Sequence, residues 1–560
     1  NTLNYDFKSV LNPDHHLTTM IGQEYIMTHN NVLTMNIQGF PEFYTSDQAF
    51  KLTTQGLYDA STDNYYSPDD ILLSYFGRLN YDYQGKYLLS GTFRADGSSK
   101  FSEKNRWGYF PSAALAWRVS SEPFMEKTKD WLDDMKLRLS YGTAGNNNIP
   151  SGQMTQSYGS SSTSWINGVT TIWVPSKIMA NPDLKWETTI TRNLGLDYSL
   201  FNGKLSGSVE SYLNTTTDLL INFPVTGTGY DTQYRNMGET QNKGLELSVN
   251  VVAVDKKHFG LSFSGNIGFN KNKITSLGVM SDFGAASGWA STDVNEDYWI
   301  SKGGSVGQMY GYVSDGRYEV SDFDHYDATT KKWVLKSGIA DASQVIGTLR
   351  PGSMKLKDVS GDGTVTTADR TIIGNANPIH TGGFNINSRV YNFDISANFN
   401  WSYGNDIYNA NKIEYTTAKS GYMYRNMTSE MASGYRWTNL KSDGTISNDA
   451  TELAAMNGST TMWSPYMSKY VLSDWAVEDG SFLRLSTLTI GYTLPSTTSK
   501  MLKIEKFRMY VTAYNVFCLT NYSGYDPEVS TRRQTNLTPG VDYSAYPKSR
   551  QLVVGLNLNF

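Results

Sequence analysis

The chain ends on Gln551-Leu552-Val553-Val554-Gly555-Leu556-Asn557-Leu558-Asn559-Phe560. Leu552, Val554, Leu556, Leu558 and Phe560 share one face. Val553, Gly555, Asn557 and Asn559 share the other. A period of two makes a strand, not a helix. The apolar face suits the core of a soluble sandwich or the lipid side of an outer-membrane barrel, whose other face meets a wet lumen. The alternation recurs. In Ile71 to Tyr83, residues Leu73, Tyr75, Leu79, Tyr81 and Tyr83 oppose Ser74, Arg78, Asn80 and Asp82. After the turn Gln84-Gly85-Lys86, Tyr87, Leu89, Gly91 and Phe93 oppose Ser90, Thr92 and Arg94. No run reaches the roughly 18 apolar residues of a membrane helix. Any passage through a bilayer therefore has to be made by strands.

About 15 strands are expected, at 3–11, 16–27, 71–83, 87–94, 106–119, 135–143, 185–200, 204–222, 238–254, 258–274, 380–391, 393–404, 480–494, 505–518 and 548–560. One short helix is expected over 122–134, with Pro123 early in it. High glycine (49) and tyrosine (38) with only 18% charged residues fit many strands and turns. Short connections near 13, 85, 202, 256 and 392 alternate with long ones at 28–70, 143–184, 275–379, 405–479 and 519–547. That is the asymmetry of an outer-membrane barrel, with short periplasmic turns and long extracellular loops. Aromatic residues crowd the short-turn ends: Tyr81, Tyr83 and Tyr87, then Tyr198 and Phe201, then Tyr391 and Phe393, with Phe560 at the same level. This is the sequence form of an interfacial girdle.

Other classes are disfavoured. A net charge of −5 argues against a nucleic-acid partner. The single cysteine, Cys518, excludes an internal disulfide framework and a cysteine-rich metal site, and a packing role is expected for it. The six histidines form no ligand cluster. No Gly-x-Ser-x-Gly, His-Glu-x-x-His or phosphate loop is present. Asp69-Asp70 and Asp133-Asp134 read as turn acids, so no catalytic residue is assigned and the chain is not expected to be an enzyme. Arg78, Asp82, Arg94, Arg118, Lys136, Arg138 and Glu210 fall on the polar face, mixed in sign, as in a hydrated interior. The chain opens on Asn1 without Met or signal peptide, and is expected to be a fragment or a processed piece.

Several words carry a resemblance. Phe93-Arg94-Ala95-Asp96-Gly97-Ser98-Ser99 with Trp107-Gly108-Tyr109-Phe110-Pro111-Ser112, Leu139-Ser140-Tyr141-Gly142 with Gly145-Asn146, and Asn515-Val516-Phe517 with Gly524-Tyr525-Asp526-Pro527-Glu528 are similar to segments of the SusC/RagA-like TonB-dependent outer-membrane transporters of Bacteroidetes. Tyr546-Pro547 before the last strand extends the match over nearly the whole chain. The resemblance implies an all-β, 22-stranded antiparallel barrel with an amino-terminal plug. Residues 1–560 look like its carboxy-terminal part, without plug or TonB box. An open sheet would leave two unpaired edges in lipid, so a companion amino-terminal polypeptide carrying plug and first strands is expected. The resemblance further implies TonB-energised import of oligosaccharides, with a SusD-like surface lipoprotein as lid. Import of oligopeptides, a siderophore-type receptor and a structural or adhesive barrel are the alternatives.

Two features of the loops suggest sites. In Asp358-Val359-Ser360-Gly361-Asp362-Gly363-Thr364-Val365-Thr366-Thr367-Ala368-Asp369, oxygens at positions 1, 3 and 5, Gly at 6 and an acid at 12 match a calcium loop. Asp358, Ser360, Asp362 and Asp369 would give side-chain oxygens and Thr364 its carbonyl. Asp369 stands where Glu is usual, so a weaker or magnesium-tolerant structural site bracing an extracellular loop is expected, with no organic cofactor. The competing reading is an Asp/Gly turn that folds without metal. Eight of the 13 tryptophans, Trp165, Trp173, Trp289, Trp299, Trp333, Trp437, Trp463 and Trp475, lie in long loops. Loop self-packing, docking of the lipoprotein and stacking on ligand are the three uses open to them.

Overall fold

The computed structural model describes all residues except 10–11, 67–68, 167–168, 226, 291–292, 420–424 and 532–535. It also leaves the side chains of 9, 58–66, 160–166, 169–172 and 224 undescribed. Fifteen strands form one sheet in chain order. They are β1 (Thr2–Asp6), β2 (His15–Thr28), β3 (Asp70–Tyr83), β4 (Tyr87–Ser98), β5 (Trp107–Arg118), β6 (Leu132–Asn146), β7 (Glu187–Leu200), β8 (Leu205–Thr217), β9 (Glu239–Lys256), β10 (Phe259–Ser276), β11 (His380–Val390), β12 (Phe393–Tyr403), β13 (Phe482–Thr493), β14 (Lys506–Thr520) and β15 (Gln551–Asn559). Strands of 11 to 18 residues dominate, longer than the usual five or six. The chain divides into two compact units, Asn1–Lys127 with Asp134–Gly195 and Tyr212–Thr240, and Thr128–Asp133 with Leu196–Ser211 and Gln241–Phe560.

Register turns the alternation into bands. In the first unit His15, Tyr83, Tyr87, Trp117 and Leu137 lie opposite one another across β2 to β6, and Leu17, Tyr81, Leu89, Leu115 and Leu139 form the next apolar row. Between them runs a polar row, His16, Asp82, Leu88, Ala116 and Arg138, broken only by Leu88 and Ala116. In the second unit Phe259, Val390, Phe393, Tyr492, Met509 and Leu556 align across β10 to β15. The opposite face there carries Ser264, Asn385, Asn398 and Thr487. No core covers the apolar face: Leu552 and Val554 are both 70% exposed and Leu556 62%. A soluble sandwich would bury these side chains, whereas lipid solvates them.

β13 carries one residue too many. Asn398 faces Thr487 while the adjacent Phe399 faces Leu485, so Ser486 is unpaired, and its hydroxyl donates to the Asn398 carbonyl at 3.0 Å. This is a β-bulge. Before it, the residues of β13 on the apolar face of the sheet are odd-numbered (Leu483, Leu485), and Phe482 lies on the opposite face with Arg484. After it the apolar-face residues are even-numbered (Leu488, Ile490, Tyr492).

One expectation is corrected. Residues 122–134 hold no helix of that length: Pro123–Thr128 is a 3-10 segment and β6 begins at Leu132. Leu137 and Leu139 pair across to Trp117 and Leu115, and that sheet pairing takes the chain into strand. The long connection 28–70 holds a hairpin of Asn31–Gln38 with Leu57–Tyr66 and a helix at Ser46–Lys51, started by a Thr45–Gln48 capping box.

The cores lie in the loops. In the second unit Tyr318, Met354, Leu356, Val365, Met431 and Trp463 belong to one buried cluster, and Tyr298, Met309, Tyr408, Leu472 and Val541 to another. In the first unit Phe101, Phe110, Leu184 and Trp186 form a smaller one. The large loop at 275–379 builds sheets of its own, including Asp282–Ala285, Tyr298–Ser301, Gln308–Gly311 and Thr371–Asn375 in a row.

Candidate functional site

The polar face of the second unit is a wall of amides and hydroxyls. The Asn242 side-chain oxygen accepts from Asn270 and Asn272 at 3.2 and 3.0 Å, and Asn385 donates to Asn398. An open groove of about 700 Å³ is lined on this side by Asn266, Thr381, Gly383, Asn400, Ser402 and Glu528. Amides both donate and accept. Such a wall suits a neutral ligand rich in hydroxyl or peptide groups.

Part of the groove lining, Pro527 to Ser530, belongs to a loop held down through ions. Arg484 of β13 donates to Asp526 at 2.7 Å, and its Nε lies 3.0 Å from Glu528; the Arg484 and Asp526 side chains are 6% and 7% exposed. Asp526 also accepts the Glu528 backbone N–H, and Lys548 reaches Glu528 at 2.5 Å. The words Gly524-Tyr525-Asp526-Pro527-Glu528 therefore work as a clasp. Nearby, Tyr522 donates to Asp542 at 2.6 Å, and burial together with that carboxylate pushes its phenol far up. Sequence reading singled out the loop but not Arg484, since one arginine in a strand looks like any lumen residue. Its signal was a change of phase: it alternates with Leu483 and Leu485 but has the same parity as the apolar Leu488 and Ile490.

In the first unit the polar-face charges are engaged. Arg94 pairs with Asp96 and with Glu24, each at 2.7 Å, and lies over the Phe76 ring. Arg118 pairs with Asp134 at 3.3 Å. Lys136 and Arg138, and Glu210 of the second unit, also have partners.

The tryptophans are scattered by role. Trp289, Trp437 and Trp463 are buried, Trp333 and Trp475 pack on the loop core, and Trp463 meets Trp475 edge-on at 4.7 Å. Arg317 lies over Trp437 and Lys412 over Trp475. Trp299 rests on Tyr310 at 4.7 Å. Trp173 is 74% exposed. The Trp165 side chain lies outside the described residues. Six of the eight thus pack against their own loops, and Trp173 is the one left open to a ligand or partner among those described.

The Asp358–Asp369 segment satisfies itself. Asp358 accepts from Ser360 Oγ and from the Gly361 and Gly363 N–H groups, and Asp362 accepts from the Thr364 N–H and hydroxyl. Asp369 is fully buried; its carboxylate accepts the N–H groups of Val359, Ser360 and Thr366 at 2.7–2.9 Å. Burial alone would raise its pKa, but the donors from Thr366, Ser360 and Val359 outweigh it and hold the carboxyl at about 2. Among the described residues no three Asp, Glu, His or Cys side chains converge as a metal cage. In this arrangement Asp369 does not fit a calcium ligand, because Oδ1 has both lone pairs on backbone donors.

The family described as TonB dependent receptor-like, beta-barrel matches residues 1–335. The chain is 31% identical over 555 residues to the TonB-dependent receptor P3 of Formosa agariphila, covering 98% of this chain and 51% of that protein. It is 30% identical over 563 residues to the TonB-dependent receptor SusC of Bacteroides thetaiotaomicron, covering 97% of this chain and 48% of that one. The chain thus spans about half the length of the curated relatives it matches. Its fold is similar to that in the structure of the RagAB peptide transporter, with TM-score 0.74 and 24% identity over all of this chain and 55% of that one.

Proposed function

We propose that this chain, which belongs to the TonB-dependent receptor β-barrel family of the outer membrane, is the wall and loop platform of a SusC-type importer. Its cargo in this reading is an oligosaccharide. The observation that supports it is the amide and hydroxyl wall, whose one lining carboxylate, Glu528, is paired with Arg484 and Lys548. Sugar hydroxyls exchange donors and acceptors with such groups without needing a fixed charge. The part of the transporter that this chain does not span supplies the plug and the remaining strands. TonB acts on that plug, and a SusD-like lipoprotein closes the loop side. This chain performs no covalent chemistry in that scheme.

Oligopeptide import by the same machinery is the second reading. It is favoured by the fold shared with the RagAB peptide transporter, and the same amides can pair with a peptide backbone. The test is calorimetric titration of the purified full-length transporter, with its lipoprotein, against oligosaccharides and mixed oligopeptides. Binding of the sugars alone supports the first reading, and binding of peptides alone replaces it. A structural calcium or magnesium ion at Asp358, Ser360, Asp362, Thr364 and Asp369 is also proposed, on spacing alone. It requires Asp369 to leave its backbone donors. Calcium-dependent protection of 356–371 from proteolysis tests it.

A further inference from the structure

β13 and β14 are joined by Leu494–Glu505, which contains the short helix Ser496–Met501. The connection sits at the end of the sheet that carries the short turns. Leu494 N–H donates to the Phe507 carbonyl and Glu505 N–H to the Asn559 carbonyl, so both ends are pinned to the strands. The helix closes on itself: the Leu502 N–H reaches the last carbonyls, Ile504 N–H donates to Ser499, and Lys503 takes a left-handed φ of 58°. This fold turns Met501 and Leu502 away from the protein. Met501 is 84% exposed and Leu502 57%.

Two adjacent apolar side chains held out by a fixed turn are not a random surface pair. They are flanked by exposed Lys500 and Lys503, with Lys506 three residues beyond, against one exposed acid, Glu505. The girdle of the second unit lies at the same end: Tyr391 is 68% exposed, Phe393 48% and Phe560 88%, and the Phe393 and Tyr492 rings meet at 4.8 Å. Apolar side chains beside lysines, continuous with an aromatic belt, match the headgroup zone of a bilayer. Methionine and leucine enter the acyl boundary there, and lysine ammonium groups reach phosphates.

We propose that the Ser496–Glu505 connection is an interfacial anchor, with Met501 and Leu502 inserted into the periplasmic leaflet and Lys500 and Lys503 bound to its phosphates. The occupant of this surface is lipid, not a protein segment. The proposal needs the outer-membrane setting but not the identity of the cargo, so it stands or falls separately from the import reading. An anchor beside the closing strand would fix the depth of β13 to β15 in the membrane.

The experiment uses the full-length transporter in vesicles of phosphatidylethanolamine and phosphatidylglycerol. Cys518→Ala removes the native thiol, and Met501→Cys takes an environment-sensitive bimane. Met501 is exposed, so the substitution leaves the packing intact. The expected result is blue-shifted emission, stronger quenching by lipids spin-labelled near the headgroup than at the chain end, and little quenching by iodide. Strong iodide quenching with none from lipid overturns the proposal in favour of water. Blue-shifted emission that neither quencher reaches overturns it in favour of a covering protein segment. In the Lys500→Gln/Lys503→Gln background, headgroup quenching should fall when phosphatidylglycerol is present. An unchanged signal there overturns the role of the two lysines.

Discussion

Removing the guanidinium of Arg484 should release the loop at 521–548. Both partners of the Arg484–Asp526 pair are nearly inaccessible, at 6% and 7%, with 2.7 Å between them. Arg484→Met therefore leaves a buried carboxylate with only the Glu528 N–H for company. Breaking a buried pair from one side costs roughly 3–5 kcal/mol. The lost interaction holds a loop, so the cost appears as local opening and not as collapse of the barrel. Amide exchange at Tyr522 and Ser523, whose N–H groups donate to Thr520 and Glu478, should accelerate roughly a hundred- to several-thousand-fold, read by hydrogen–deuterium exchange on the protein in lipid nanodiscs. Asp526→Leu in the same chain removes the stranded charge, and Glu528 keeps Lys548 as partner. The double variant should recover most of the protection, since a buried pair replaced by apolar groups is often neutral. Exchange unchanged in Arg484→Met, or a double variant more open than the single one, would refute the clasp.

Other predictions concern the loops, the wall and the lipid face. Asp369 has a folded-state pKa of about 2 against an ordinary 3.8, so its contribution is complete above about pH 4 and is lost as pH falls through 2. The shift corresponds to about 2–3 kcal/mol; Asp369→Asn should expose 356–371 to protease at neutral pH, and unchanged cleavage would count against the donor set. A Cβ at Gly382 would lie 2.3 Å from the Trp401 ring and 2.4 Å from the Asn266 carbonyl. Gly382→Ala should destabilise the barrel by roughly 1–3 kcal/mol, seen as a lower temperature for loss of heat-modifiable migration; a wild-type transition would show that the strands can yield. Tyr87→Ala removes a ring from the short-turn belt, where Tyr83 and Tyr87 stack at 6.4 Å, and should lower the yield of membrane-inserted protein without changing ligand affinity.

The sheet was readable from sequence because lipid on one side and water on the other enforce a strict period of two. Tyr81, Leu89, Leu115 and Leu139 lie in one row of the structure as their spacing implies. The loops were less readable, since residues there pack by contacts distant in sequence. Trp289 and Tyr408 meet across more than a hundred residues, and no periodicity announces that. The expected helix at 122–134 failed for a related reason: Pro123 starts only a 3-10 segment before sheet pairing takes over. The helix at Ser496–Met501 was missed because six residues are too few to show a helical period. The acidic spacing of Asp358 to Asp369 was visible, but the backbone donors that engage Asp369 were not. Arg484 needed both a bulge and a distant loop before its position made sense.

That bulge decides which face the first half of β13 presents. Loops of this protein can gain or lose residues at small cost, whereas each residue paired in β13 sets the face of its neighbours. Ser486 is the one-residue offset that lets Leu488 and Ile490 and then Leu485 and Leu483 share a face. Drawing Ser486 into the ladder as a paired residue would impose plain alternation and carry Arg484 to the hydrocarbon side while sending Leu485 inward. The charge would cost up to about 2–4 kcal/mol there, depending on depth, and Asp526 would lose its partner in the same step. A single unpaired residue in mid-strand thus acts as a spacer: removing it leaves every face of β13 as it is, whereas pairing it would turn over all the residues before it.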